Sequence, residues 1–354
     1  MTLRPCSSLV LALSLAACHS GGSGGDNSGN TDINTTGGTL SLVAGNTSAL
    51  TSTSSPFGNT DGTGANALFF NISDVAAFGS IVYVADTNNH ALRKVDAQGA
   101  VTTLLKVSDP AAAPLDVVNS VAVDAAGNVY VGDENCPPQP PTPGGIPCAV
   151  GIHRVAPDGT VATVSITGSS DNTGTTLQAL GDLTVDNAGN LLVADNFGFH
   201  PAIHKLVPAT GDLTTVYSGS ADSLAVAKSG NIYFRSRSTI FKLAAGSTTA
   251  TVLAGSAATG YADGTGAAAV FGNAGGISVD DGENLYVADT DANVVRKITP
   301  AGVVTTIAGN PFNNAFQFGP LPGTMNKPSS VSVSGASNLY VGTPSAVLLI
   351  AGRP

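Results

Sequence analysis

The sequence predicts an all-β chain folded as a six-bladed β-propeller of four-stranded antiparallel blades. Three observations predict it: a strand pattern repeated six times, runs of Val, Ile, Leu and Tyr at successive positions, and a first strand spelled like the end of a repeat. The copies read "GSIVYVADTNNHALRKVDAQGAVTTLL" at 79–105, "GNVYVGDEN" at 127–135 resuming as "GIHRVAPDGTVATV" at 151–164, and "GNLLVADNFGFHPAIHKLVPATGDLTTVY" at 189–217. They continue as "GNIYFRSRSTIFKLAAGSTTATVLAG" at 230–255, "ENLYVADTDANVVRKITPAGVVTTIAG" at 283–309 and "SNLYVGTPSAVLLIAG" at 337–352. A further short strand precedes each, as in "SVAVDAAG", "DLTVDNAG" or "GISVDDGE". One unit is therefore strand a, a tight Asp/Gly/Asn turn, strand b, a connection, strand c, a turn such as "DAQG", and strand d. A sheet apolar on both faces cannot leave either in water, and radial packing of repeats covers both.

Taken in order, residues 1–17 form a targeting segment: Arg4, then the apolar run "LVLALSLAA", then Cys18. Nine residues are too few for a helix to cross a hydrocarbon core about 30 Å thick, so this is a signal peptide. "LAAC" at 15–18 resembles a bacterial lipobox, which implies cleavage before Cys18 and a lipid anchor on it. Residues 18–38 have almost nothing to bury and read as a flexible Gly/Ser/Asn tether. The propeller occupies 39–354. Its opening "TLSLVAGN" at 39–46 matches the ends "ATVLAGS", "TTIAGNP" and "LLIAGRP", and the sixth unit supplies only three strands before the chain stops. The first strand is thus expected to complete the last blade. Cys136 and Cys148 bracket "CPPQPPTPGGIPC" and in an exported chain are expected to pair as a disulfide; metal binding is the weaker alternative.

The words "VADTNNHALRKVDAQGAVTTLL" and "VADTDANVVRKITPAGVVTTIAG" resemble NHL repeats, and the inter-blade stretches at 58–76 and 260–278 resemble those of bacterial NHL propellers. The resemblance covers 39–354 and implies architecture; the family includes lyases, sensor domains and interaction platforms.

Several residues invite a functional reading. Asp86, Asp133, Asp195 and Asp289 recur at the end of strand b and could form a cation ring, although an Asp repeated in most copies is expected to serve each copy by accepting backbone N–H bonds. His153 and His204 occupy equivalent strand c positions with Arg93, Phe241 and Arg296, too far apart across blades to share zinc; His200 lies four residues before His204. Blade 4 departs from the pattern, with Arg235 where other blades carry Ala or Gly, then Arg237, and Lys228 in a usual Asp position. Arg235 must reach solvent, meet a neighbouring blade's Asp, or mark an anion-binding spot. Phe316 and Phe318 in "NPFNNAFQFGPLPG" belong either to a binding loop or to inter-blade packing, and the "DGTG" segments read as turns rather than calcium loops.

The formal charge of −10 without a Lys/Arg cluster excludes nucleic acid as a partner. The expected function is a lipid-anchored envelope scaffold, monomeric and without cofactor, that presents a propeller face to a protein, peptide or small ligand. The alternative is a metal-dependent lyase or hydrolase using Ca or Zn at the central channel, for which no nucleophile motif or dense His/Glu set is present.

Overall fold

The computed structural model describes residues 37–48, 56–106, 117–135, 149–167, 177, 179–196 and 201–353. Cys18, Cys136, Cys148 and His200 lie outside these residues, and so do the signal and most of the tether.

Six antiparallel sheets are present, and each is one repeat. Blade 1 consists of strand a Ile72–Phe78, b Ile81–Asp86, c Ala91–Val95 and d Ala100–Lys106. The other strands a are Val117–Val123, Leu180–Val185, Ser223–Val226, Ala274–Val279 and Ser330–Ser334. Each strand a contacts the next, and Ser330–Ser334 returns to Ile72–Phe78, so the six line an axis. This is the expected six-bladed propeller.

The apolar residues bury between blades, not within one centre. Along strand b of blade 1, Val82 and Val84 join the core shared with blade 6, whereas Tyr83 and Ala85 join the core shared with blade 2. Successive residues of a strand point to opposite faces, so a run of apolar residues serves two neighbours at once. The reversals between strands a and b of blades 2, 3 and 5 are Asx turns: Asp124 Oδ1 accepts the N–H groups of Ala126 and Asn128 at 2.9 Å each, and Asp186 and Asp280 repeat the arrangement.

Closure follows the expectation. Thr39–Gly45 pairs antiparallel with Ala346–Ala351, from Thr39 opposite Ala351 to Gly45 opposite Ala346, and so becomes strand d of blade 6. The repeated "AG" has a steric cause. Ala44, Ala254 and Ala308 are fully buried. The glycines after them, Gly45, Gly255 and Gly309, have φ of 107°, 84° and 90°. A Cβ on these glycines would lie 2.3, 2.3 and 2.4 Å from the carbonyl oxygens of Ser345, Ser238 and Asn293 in the b–c connections. Only a residue without a side chain passes that carbonyl in that conformation.

One feature goes beyond the four-stranded expectation. Gly62–Thr63, Gly264–Thr265 and Gly319–Pro320 add a short fifth strand to the outer edges of blades 1, 5 and 6, so the "DGTG" words cover open edges as well as turning the chain.

Removing residues 39–46 is expected to lower the melting temperature of the chain by about 5 °C or more, roughly what a few kcal/mol does in a domain of this size, while removing 20–36 leaves it unchanged; equal losses would refute closure. Gly45→Ala alone is expected to cost ~1–3 kcal/mol in denaturant unfolding.

Candidate functional site: the waist and mouth of the axial channel

The repeated aspartates are used inside their own blades. Asp86 Oδ2 accepts from Arg93 Nη1 at 2.7 Å, and Arg93 Nη2 reaches Asp61 Oδ1 of "DGTG" at 2.8 Å. Blade 5 repeats this with Asp289, Arg296 and Asp263, at 3.1 and 2.5 Å from the guanidinium. Both guanidinium groups are fully buried and lie over Phe69 or over Phe271 and Tyr261, 4.7–5.2 Å from the ring centroids. The aspartates also hold the segments that lead into strand a: Phe70 N–H bonds Asp86 Oδ1 at 2.7 Å, Ala179 N–H bonds Asp195 Oδ1 at 3.1 Å, and Gly272 N–H bonds Asp289 Oδ1 at 3.3 Å. The expected acceptance of backbone N–H groups is thus present, mainly from the preceding segment and not the following one.

In blades 2 and 3 histidine takes the place of arginine. His153 and His204 are buried, with Nδ1 3.3 and 3.2 Å from Thr163 Oγ1 and Thr215 Oγ1. Burial lowers the His153 pKa. Among the described residues, no three His, Cys, Asp or Glu side chains gather into a cation-binding group, so Asp86, Asp133, Asp195 and Asp289 are not brought together.

Blade 4 relocates its arginine. Phe241 stands opposite Phe234 and stacks on it at 5.1 Å and 11°, filling the space that a guanidinium holds elsewhere. Arg235 instead bonds Asp222 Oδ2 through Nη1 at 3.0 Å, the Arg237 carbonyl at 3.0 Å, and the Gly275 carbonyl of blade 5 through Nε at 3.0 Å. Its carboxylate partner therefore belongs to its own blade, and the neighbouring blade contributes a carbonyl. Arg237, at φ 54°, donates its backbone N–H to Asp222 and exposes its side chain. Lys228 forms an exposed pair with Asp281.

The centre of the ring carries a feature absent from the sequence-based reading. At the equivalent position of strand a stand Asp74, Ser120, Asp182, Ser223, Gly276 and Ser330. Each polar side chain accepts the N–H of the next blade's following residue: Asp74 from Val121 at 2.8 Å, Ser120 from Leu183 at 3.0 Å, Asp182 from Leu224 at 2.7 Å, Ser223 from Ile277 at 3.0 Å, and Ser330 from Val75 at 3.3 Å. Gly276 has no side chain to offer. There the backbones meet directly, Gly276 N–H to Ser329 O at 2.7 Å, and a Cβ on Gly275 would lie 2.0 Å from that same oxygen. This belt is the waist of the channel. Below it lies a space of about 180 Å³ walled by residues such as Val123, Val185 and Val279. Above it opens a mouth of about 270 Å³ with Asn119, Asp222, Arg235 and Ser329 on its wall. Glu134, whose pKa is raised by burial and by nearby Asp195, accepts from Asn119 Nδ2 at 3.0 Å and from the Leu180 N–H.

The contacts of Ser120 and the burial of both groups favour a proton held on one of the two belt carboxyls. Ser120 Oγ lies 2.8 Å from Asp182 Oδ1 and 3.2 Å from Asp74 Oδ2 while accepting the Leu183 N–H. A hydroxyl has a single hydrogen, so the second contact is a hydrogen bond only if one carboxyl is protonated and donates. Burial and the Asp182 charge push Asp74 up to about 7, and burial raises Asp182 as well. The remaining lone pairs are taken: Asp74 Oδ1 accepts from Ser330 Oγ at 2.6 Å and from Val75 N–H at 2.8 Å. These carboxyls do not fit a metal-ligand role, because their oxygens already have donors.

No protein-family model matches the sequence, and no curated protein matches it. Solved structures share the fold. A structural-genomics protein of unknown function from Bacteroides thetaiotaomicron is 19% identical, with TM-score 0.71 over 89% of this chain and 76% of that one. An auxiliary nutrient binding protein from Bacteroides ovatus is 18% identical, with TM-score 0.65 over the same shares, 89% and 76%. A gluconolactonase from Xanthomonas campestris is 15% identical, with TM-score 0.59 over 91% and 92%. At these identities the likeness is one of fold.

A carboxyl whose folded pKa lies above its unfolded value binds its proton more tightly when folded. Its stabilising contribution is full below about pH 4 and is lost as pH rises to about 7. The wild-type chain is therefore expected to lose on the order of 2–4 kcal/mol from this pair over that window. Asp74→Ser, the residue that blades 2, 4 and 6 already use, keeps an acceptor for Val121 and removes the second charge. It should flatten that slope and stabilise the chain at pH 8. His153, with its lowered pKa, has the opposite sign, so the difference between wild type and variant in urea unfolding isolates the pair.

Proposed function

We propose that the chain is a lipid-anchored, monomeric binding propeller of the NHL type in the bacterial cell envelope, which holds a protein, peptide or small ligand on the face where the strands a begin, without catalysis. The waist of the channel carries this reading. Asp74 and Asp182 stand where a channel reaction would be centred, and their oxygens are committed to the N–H and O–H groups that stitch the blades together. What the fold then offers is a rigid face with connections of varied length, the part of a propeller on which binding resides. A nutrient binding protein with the same fold is compatible with that role. The anchor is Cys18 followed by the tether, and Cys136 and Cys148 close a loop by a disulfide.

Three measurements test the reading. Metabolic labelling with a palmitate analogue should mark the chain in a bacterial host and fail for Cys18→Ser. Mass analysis without reductant should show the bond between Cys136 and Cys148. Affinity capture from envelope extract, or thermal-shift screening with small solutes, should give a saturable ligand. Stoichiometric Ca or Zn in the purified chain, with turnover of a lactone that chelator abolishes, would overturn it in favour of a metal-dependent hydrolase.

A further inference from the structure

The mouth of the channel carries a second ring, one residue before the belt in each blade: Ser73, Asn119, Gly181, Asp222, Gly275 and Ser329. Blades 3 and 5 contribute glycines, and a space of about 270 Å³ stands open above the waist. Most of its polar groups are spent. Ser73 Oγ donates to the Asn119 carbonyl at 2.8 Å, Ser329 Oγ to the Ile72 carbonyl at 2.7 Å, and Asn119 Nδ2 to Glu134 at 3.0 Å.

Arg235 is the exception. Its side chain is 10% exposed. Nε is given to the Gly275 carbonyl and Nη1 to Asp222 Oδ2 and the Arg237 carbonyl, each at 3.0 Å. The two N–H groups on Nη2 meet no acceptor among the described residues, although Arg235 lines the mouth. A guanidinium held this deep, with one edge unmet, calls for an acceptor from outside the chain.

Two acceptors in the same mouth are also left over. Asp222 Oδ1 receives a long 3.4 Å contact from Asn196 Nδ2, because the bonds from Arg235 and from the Arg237 N–H fall on Oδ2. Asn119 Oδ1 receives no hydrogen bond among the described residues. The floor below is formed by the belt, with Asp74 and Asp182. Asp222 balances the charge of Arg235, so the charge left in the mouth is the negative charge of the belt. A lone anion on Nη2 would face that charge, and a lone cation would leave Nη2 unmet.

We propose that the mouth binds a small zwitterion of the α-amino acid kind, its carboxylate on Arg235 Nη2 and its ammonium toward Asp222 Oδ1 and Asn119 Oδ1. The proposal rests on the reading of the chain as a binding propeller and names the site and the ligand class. Charge-assisted bonds to both ends of the ligand are the strong kind, and the guanidinium is held in place before the ligand arrives. The space lies just under the range of drug-sized sites, roughly 300–1,000 Å³. Leu180 is the one large apolar side chain on the walls that the belt does not share, so a short polar side chain fits best.

The test is calorimetric titration of the full chain with L-serine, with glycerate, in which a hydroxyl replaces the ammonium, and with ethanolamine, which lacks the carboxylate. Serine is expected to bind, and each control to bind about tenfold more weakly or worse, the loss of one charge-assisted contact. Arg235→Lys keeps the charge beside Asp222 but removes the second donor edge, and should weaken serine by about tenfold or more. Asn119→Ala, which leaves Arg235 in place, should weaken it by roughly threefold to tenfold; it decides the matter if the lysine variant fails to fold. Absence of serine binding overturns the proposal. Glycerate as tight as serine overturns the ammonium contact, and ethanolamine as tight overturns the carboxylate contact. Serine binding indifferent to both substitutions overturns the mouth as the site. Each of these results leaves a binding propeller in place, since that reading falls only to metal-dependent turnover.

Discussion

The cores of this protein lie between blades and none lies within one, so the layers on either side of blade 6 are complete only when the ring closes. The strand at 39–45 makes that closure, and its two faces feed two different cores. Leu40 packs into the layer between blades 5 and 6, and Ala44 into the layer between blades 6 and 1. A four-stranded blade on its own exposes both apolar faces, so the ring resembles other repeat architectures in which neighbours complete one another. It differs from an open solenoid in that the first and last repeats must meet.

At the axis the blades converge on strands too close together for large side chains, and a belt of short polar groups solves the packing. An Asp or Ser accepts the N–H that the neighbouring strand presents, and at the junction between blades 5 and 6 two glycines let the backbones touch instead. Two of the belt groups are carboxyls whose burial favours the protonated form, and their oxygens are engaged by hydrogen-bond donors. With those groups engaged, the face around the channel, with its connections of varied length, is the part left for binding.

The belt was hidden in the sequence for a physical reason. Strand a is bulged next to the belt residue in blades 1, 2, 3 and 5, so a strict alternation of inward and outward residues loses its phase there. Aligning the six copies on the apolar residue after the bulge would have shown D, S, D, S, G and S in one column. The partner of each, however, lies in another blade, and no local spacing reports it. Arg235 was legible as an exception, since it breaks a column of small residues, but its partners Asp222 and Gly275 became known only from the packing of blades 4 and 5.

By itself the sequence determined the number of blades, the order of strands, the turns at Asp124, Asp186 and Asp280, and the role of the opening strand. These depend on period, on turn chemistry and on a repeated word, all of which are local. Only the tertiary structure decided which polar groups are spent on holding the ring and which are left over for a ligand. That division depends on distances across blade junctions, where a hydrogen-bonding group is either met by a neighbour's N–H or left facing solvent, and no property of a single repeat determines which.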